Sequence, residues 1–269
     1  MIKVIYNRIK VDRKRFTPTP NNGTIDGATW VDGRAGFGLE FDGINDFVNV
    51  GSNTSILIGT KTAFTVEAWV NVDSTGAGNR VIIGNDSGTA GYYLRVTAGG
   101  KIEFLVQHAT TDLDYITVAS ITTNAWVCVT AVYNIDKTAD IYFNGTEQTY
   151  STATNGVGAL SSDVGLNVNI GRRGGGSNDM FYDGKIDEVK FYNIALDCIQ
   201  AQVNSGNVLN PTTTNLVAWW RFSEGTLTTA EDGDIEYYGT QILEANVTNT
   251  IGDFNNVSTF DISLHNKDG

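Results

Sequence analysis

Between residues 62 and 72 the chain alternates. Phe64, Val66, Ala68 and Val70 fall on one side of an extended backbone, and Thr65, Glu67, Trp69 and Asn71 on the other. A period of two is the signature of a strand with one buried face. Short apolar or alternating runs recur at residues 80–84, 92–97, 101–108, 115–120, 125–134, 139–143 and 164–171. Turn signals separate them, Gly99-Gly100 and Asn144-Gly145 being the sharpest. Residues 38–50 read as a strand entering the turn Asp42-Gly43 and a second leaving through Phe47, Val48 and Val50. In residues 181–196, Ile186, Glu188 and Lys190 alternate with Asp187, Val189 and Phe191. This pattern places Asp187 on the core-facing side with Val189 and Phe191. A carboxylate there is costly unless it is hydrogen-bonded or meets a cation. Only residues 196–206 read as a helix, about two turns long.

Composition supports short strands and tight turns. The 269 residues include 30 glycines and only 3 prolines, with many Thr, Asn, Val and Ile. The length fits one all-β domain with appendages. The net charge of −12 excludes nucleic acid as the main partner. It is unevenly spread: Lys3, Arg8, Lys10, Arg13, Lys14 and Arg15 stand against Asp12 alone in the first 16 residues. No apolar run approaches the roughly 18–20 residues that cross a bilayer, and charge interrupts the N-terminus too early for a signal peptide. Cys128 and Cys198 lack metal-ligand spacing, and Cys128 sits in an apolar run, so it reads as a reduced core thiol.

Several motifs, in order, carry a resemblance. They are Leu39-Glu40-Phe41-Asp42-Gly43 with Asn45-Asp46-Phe47-Val48, Phe64-Thr65-Val66-Glu67-Ala68-Trp69-Val70, Trp126, Asp140-Ile141-Tyr142-Phe143-Asn144-Gly145, Ile170-Gly171-Arg172, and Ile186-Asp187-Glu188-Val189 followed by Tyr192. Over residues 24–200 the chain resembles the laminin-G-like, concanavalin-A-like lectin and glucanase jelly rolls. The resemblance implies an all-β fold, a two-sheet antiparallel jelly-roll sandwich with one short helix. Residues 1–20 then form a basic arm, 21–209 the jelly roll, and 210–269 an acidic segment. Within that segment, Trp219-Trp220-Arg221-Phe222 is of a type that normally opens the domain in the resembled family. It either completes the same sandwich or opens a second β unit; the acidic segment could also pair with a neighbouring subunit.

Candidate chemistry is sparse. Asp42, Asp46 and Asp187 are hard oxygen ligands on stretches that lie close in the resembled fold, and the resemblance implies a structural Ca²⁺ there. The alternative is that Asp42 and Asp46 cap a turn while Asp187 binds backbone amides. Glu67 and Glu103 read as isolated, solvated strand carboxylates. The related glucanases carry Glu-x-Asp-x-x-Glu on one strand, which this chain lacks, and with His108 and His265 alone a serine relay is poorly supported. Catalysis is therefore not expected. Aromatic faces with Asn, Asp and Arg suit sugars, which nominates Tyr92, Tyr93, Tyr115, Arg172, Arg173 and Asn178. The expected protein is a non-catalytic structural or adhesion component on a bacteriophage virion surface, held to other copies or proteins by the arm and the acidic segment. A free extracellular lectin or carbohydrate-binding module is the alternative, with a glycan-cleaving enzyme behind it.

Overall fold

The computed structural model describes residues 21–76, 78–174, 180–206, 211 and 213–232. The basic arm, Asn178 and the tail beyond residue 232 lie outside the described residues. In chain order the strands begin β1 (Gly23–Asp26), β2 (Thr29–Asp32), β3 (Phe37–Asp42), β4 (Phe47–Gly51), β5 (Phe64–Val72) and β6 (Arg80–Gly84). They continue β7 (Tyr92–Val96), β8 (Lys101–Val106), β9 (Leu113–Ser120), β10 (Val127–Tyr133), β11 (Ala139–Phe143) and β12 (Thr146–Glu147). Then come β13 (Tyr150–Thr154), β14 (Val168–Ile170), β15 (Asp183–Tyr192), the helix α1 (Cys198–Gly206), β16 (Leu216–Trp220) and β17 (Thr229–Ala230).

Two antiparallel sheets pack face to face, as expected for a jelly roll. One has nine strands in the order β13-β9-β8-β7-β6-β14-β4-β1-β17. The other runs β12-β11-β10-β5-β15-β3-β2, with β16 also paired to β15. Their inner faces meet in an aromatic cluster. Phe64 of β5 stacks on Phe191 with ring centroids 5.8 Å apart, on Tyr133 at 5.2 Å, and meets Tyr92 and Phe104 of the opposite sheet at 5.4 and 5.9 Å. Burying each such ring stabilises the fold by about 1.5–3 kcal/mol. Gly184 on β15 has φ +130°, and a Cβ there would meet the Asn71 carbonyl oxygen at 2.3 Å; only glycine allows β15 to lie this close to β5.

One residue changes how β15 must be read. The strand pairs Gly184 with Val72 through Asp187 with Trp69, then resumes at Lys190 with Glu67. Three steps on β15 therefore match two on β5, a bulge at Glu188, whose φ is 53°. The extra residue reverses the alternation. Ile186, Val189 and Phe191 join the core, while Asp187 and Lys190 pair with Trp69 and Glu67 of the outer face. The expectation that Asp187 shares the face of Val189 and Phe191 is corrected by this bulge.

The segment after α1 returns to the sandwich. β16 pairs with β15 from Tyr192–Leu216 to Val189–Trp220, and β17 pairs with β1. The Trp220 indole N–H donates to the Asn21 carbonyl at 2.7 Å, and the Asp232 carboxylate accepts the Trp219 and Asn21 backbone N–H groups at 2.8 and 3.1 Å. Among the described residues no helix is long and apolar enough to cross a membrane.

Candidate functional site

The hairpin β7–β8 turns around Gly99-Gly100 and sets Arg95 opposite Glu103. Leu94 and Phe104 enter the core, so Tyr93, Arg95 and Glu103 emerge on the outer face of the nine-stranded sheet. There they lock together. Arg95 Nε and Nη2 donate to Glu103 Oε2 at 3.0 and 2.8 Å, and Nη2 reaches Oε1 at 2.9 Å. The Tyr93 hydroxyl donates to Oε1 at 2.7 Å, and the Arg95 guanidinium lies 4.5 Å from the Tyr93 ring centroid. Charge-assisted forks of this kind fix orientation as well as adding energy. Burial, then the Glu103 charge, pushes the Tyr93 phenol far above its ordinary value, so it keeps the proton it donates to Glu103.

Asp114 on β9 completes this floor. Its Oδ1 is buried and has no hydrogen-bond partner among the described residues. Burial and the nearby Glu103 charge raise its carboxyl to about 6, against the opposing pull of Arg95. At the edge of the same face the fully buried Asp86 accepts from the Gly88 backbone at 3.1 Å and from Gln107 Nε2 at 3.0 Å, and it pairs with Arg173. Arg172 stacks over the Phe47 ring at 3.6 Å and donates to Asn169 Oδ1 at 3.3 Å. Met180 brings its sulfur to 3.1 Å from Arg95 Nη1. The arrangement is a polar, largely covered floor in which Tyr93, Arg95 and Glu103 are locked together and the Asp114 Oδ1 acceptor has no hydrogen-bond partner. Chemically it can receive hydroxyl donors.

The structure gathers only some of the nominated residues here. Tyr93, Arg172 and Arg173 lie on this outer face. Tyr92 does not: it is 0% exposed, its neighbour in sequence pointing outward and itself inward against Phe64 and Phe191. Tyr115 packs in the core cluster, edge-on to Tyr150 at 4.9 Å, with its hydroxyl bound to Asn155 at 2.6 Å. Glu67 and Glu103 are not solvated; they are 0% and 4% exposed and both are paired. Arg95, Asp86 and Gln107 escaped the sequence reading. The signal for Arg95 was present, because a hairpin centred on Gly99 places residues 95 and 103 opposite each other.

The aspartates nominated for Ca²⁺ do not assemble as a set. Asp42 Oδ1 accepts the Ile44 and Asn45 backbone N–H groups at 2.8 and 3.2 Å, and Asp46 Oδ2 accepts the Asp42 N–H at 3.0 Å. They line an acidic groove with Glu40, Asp73 and Asp183. Asp187 is not in it. Its Oδ2 accepts the Arg34 and Ala35 N–H groups at 2.8 and 3.1 Å, and its Oδ1 accepts the Glu188 N–H at 2.7 Å. Burial, then the Glu188 charge, lifts the Asp187 carboxyl to about 8 despite those three donors. Among the described residues no three Asp, Glu, His or Cys side chains converge as a metal ion needs. The three carboxylates fit turn capping and amide binding better than coordination.

Comparison with known proteins bears on the fold. The chain is similar to the binding domain of Paraclostridial mosquitocidal protein 1, with 17% identity and a TM-score of 0.58 over 70% of this chain and 48% of that one. It thus spans about half the length of that domain. It is also similar to domain 4 of AbnA, a GH43 extracellular arabinanase from Geobacillus stearothermophilus seen with arabinotriose, at 16% identity and TM-score 0.52, covering 67% of this chain and 86% of that one. The enzymatically active domain of bacteriophage CBA120 tailspike protein 2 matches 81% of this chain and 35% of its own, at 14% identity and TM-score 0.60. No curated protein sequence matches the chain. The family model of laminin-G-like domains described as the concanavalin A-like lectin/glucanases superfamily matches residues 42–204, and the chain belongs to that superfamily.

Proposed function

We propose that the protein is a non-catalytic carbohydrate-binding jelly roll whose ligand surface is the outer face of the nine-stranded sheet around Tyr93, Arg95 and Asp114. The observation that carries this reading is the unpartnered Asp114 Oδ1 beside a rigid Arg95–Glu103–Tyr93 cluster. A buried acceptor without a donor costs about 1–3 kcal/mol, and a sugar hydroxyl would remove that cost. Binding is favoured over cleavage because both Glu103 oxygens are engaged by Arg95 and Tyr93. A glycosidase needs a second carboxylate free to act as nucleophile or base. The AbnA domain with arabinotriose is in keeping with a saccharide ligand for this fold.

A finer reading concerns where the domain works. We infer a place on a larger extracellular assembly, a virion appendage above all, with the basic residues of 1–20 contacting acidic surfaces of other copies. The tailspike match and the charge segregation support it. Such contacts weaken with salt. Glycan-array screening of the full chain, followed by calorimetry on the strongest saccharide, tests the binding reading. Saturable binding that Arg95→Ala weakens at least tenfold is expected, and no binding by the wild-type chain overturns it. For the assembly reading, an oligomer that dissociates on removal of residues 1–20 is expected. A mass in solution indifferent to that deletion and to salt overturns it.

A further inference from the structure

The outer face of the eight-stranded sheet should meet water, yet it buries charge. Glu67 and Lys190 face each other across β5 and β15, and both are 0% exposed. Helix α1 helps to seal them in. Asp197 opens it with a capping box, its Oδ1 accepting the Gln200 N–H at 2.8 Å while Gln200 Oε1 accepts the Asp197 N–H at 2.9 Å. Two turns later the helix presents Asn204, also 0% exposed, to the sheet.

Three side chains then meet on one carboxylate. Lys190 Nζ donates to Glu67 Oε1 at 3.2 Å, and Asn204 Nδ2 donates to Glu67 Oε2 at 3.2 Å. Thr130 Oγ1 holds the same Oε2 at 3.0 Å, and Asn204 Nδ2 also donates to the Tyr192 hydroxyl at 3.1 Å. An amine and a carboxamide are thus bridged by a proton-carrying group, away from water. The arrangement places a nucleophile, an acyl group and an acid–base within one sealed pocket.

We propose that Lys190 and Asn204 are joined by an intramolecular isopeptide bond, formed once with Glu67 as the proton carrier. Glu67 takes a proton from the Lys190 ammonium, and the free electron pair on Nζ attacks Asn204 Cγ. A new Nζ–Cγ bond forms, the Cγ–Nδ2 bond breaks, and Nδ2 leaves as ammonium, carrying the two protons that Glu67 relays from Nζ. Lysine amine plus asparagine carboxamide gives a secondary amide plus ammonia, with no oxidant, reductant or cofactor. Burial disfavours the Lys190 charge, but Glu67 and Glu188 outweigh it and raise the amine, so the reactive neutral form is scarce. A step that each molecule performs once tolerates that scarcity. The product would rivet α1 to β15.

Intact mass of the denatured full chain tests this directly. The expected mass is about 17 Da below that of the sequence, the mass of one ammonia. Trypsin gives an independent readout, because the amidated Lys190 is no longer a cleavage site. Residues 186–221 contain only Lys190 and Arg221 as tryptic sites, so they should appear as one internally bridged peptide. Glu67→Gln should restore both the sequence mass and cleavage after Lys190, whereas Tyr192→Phe, which leaves all three groups, should keep the bridge. A wild-type chain at its sequence mass overturns the proposal. So does an ammonia loss that leaves Lys190 cleavable, since that marks a cyclic imide at Asn204 instead.

Discussion

The two outer faces of the sandwich carry similar side chains to opposite ends. On the eight-stranded sheet, Glu67, Lys190, Glu188 and Asp187 are all fully buried, sealed under α1, the loop holding Arg34 and Ala35, and the Trp219 indole that donates to Glu188. On the nine-stranded sheet, Arg95 and Asp114 stay partly exposed and one acceptor is left open. Sealing makes a polar cluster structural, because its members are satisfied from within, by hydrogen bonds or, for Glu188 Oε1, by an ion pair with Arg221 at 3.8 Å. Leaving one acceptor unfilled makes the other cluster a receiver. The largest effect is therefore expected where sealing is complete. Lys190→Met should cost about 3–5 kcal/mol in urea unfolding, because Glu67 and Glu188 would be left as buried carboxylates without the Lys190 nitrogen beside them. A loss under about 1 kcal/mol would show that water reaches this face and would erase the contrast.

The next effect belongs to the bulge. Asp187→Ala strands the amides of Arg34, Ala35 and Glu188, and should cost about 2–4 kcal/mol by the same measurement. The carboxylate also holds Glu188 at a φ that residues with a Cβ rarely adopt. Were the cost negligible, the loop at Arg34 would have to find other acceptors, and the seal would not depend on Asp187.

The open face is probed by binding. Arg95→Ala removes the fork that orients Glu103 and Tyr93, so saccharide affinity should fall at least tenfold, about 1.4 kcal/mol, with a smaller change in thermal midpoint. Affinity should also follow Asp114. A sugar hydroxyl donates to the ionised carboxylate, and protonation competes with it. Because the free carboxyl sits at about 6, above its ordinary value, binding should be full above that pH and fade as pH falls through it. Asp114→Asn should flatten the profile measured by calorimetry between pH 5 and 8. A profile unchanged by that substitution would place the sugar elsewhere.

How far the sequence reveals these faces depends on what alternation can encode. Phe64, Val66, Ala68 and Val70 are core and Glu67 and Trp69 outer-face residues, as the period of two requires. Alternation also places Glu103 outward, but it is silent on what covers an outer face. Solvated and sealed carboxylates look alike until α1 and β16 are placed. Adjacent aromatics defeat it in another way, since Tyr92 and Tyr93 fit either parity and only the packing of Phe64 decides. In β15 the pattern itself misleads. Nothing in Asp187-Glu188-Val189 marks a bulge, because a left-handed backbone at glutamate is held by the Asp187 carboxylate and not by glycine. The nominated metal set is separated along the strands instead: Asp42 pairs with Asp183, four residues before Asp187 on β15.

That separation gives the smallest expected effect, and it asks whether the acidic groove at the sheet rim behaves like the sealed face or the open one. Asp42 and Asp46 spend oxygens on turn amides, while Asp183 already meets Arg80 at 3.4 Å and the Ser74 hydroxyl at 3.2 Å. Burial raises the Asp46 carboxyl, with the charges of Asp42 and Asp26 adding to it, so the groove has mutual repulsion that a cation could relieve. A resident Ca²⁺ would stabilise the fold by its binding energy, several kcal/mol when the ion is well above its dissociation constant. Turn caps alone predict a melting temperature that a chelator shifts by no more than about 1 °C, since no ligation is lost. A chelator-induced fall of several degrees, reversed by added Ca²⁺, would instead assign the ion to the groove without Asp187, and would make the rim a third kind of polar surface, satisfied by metal.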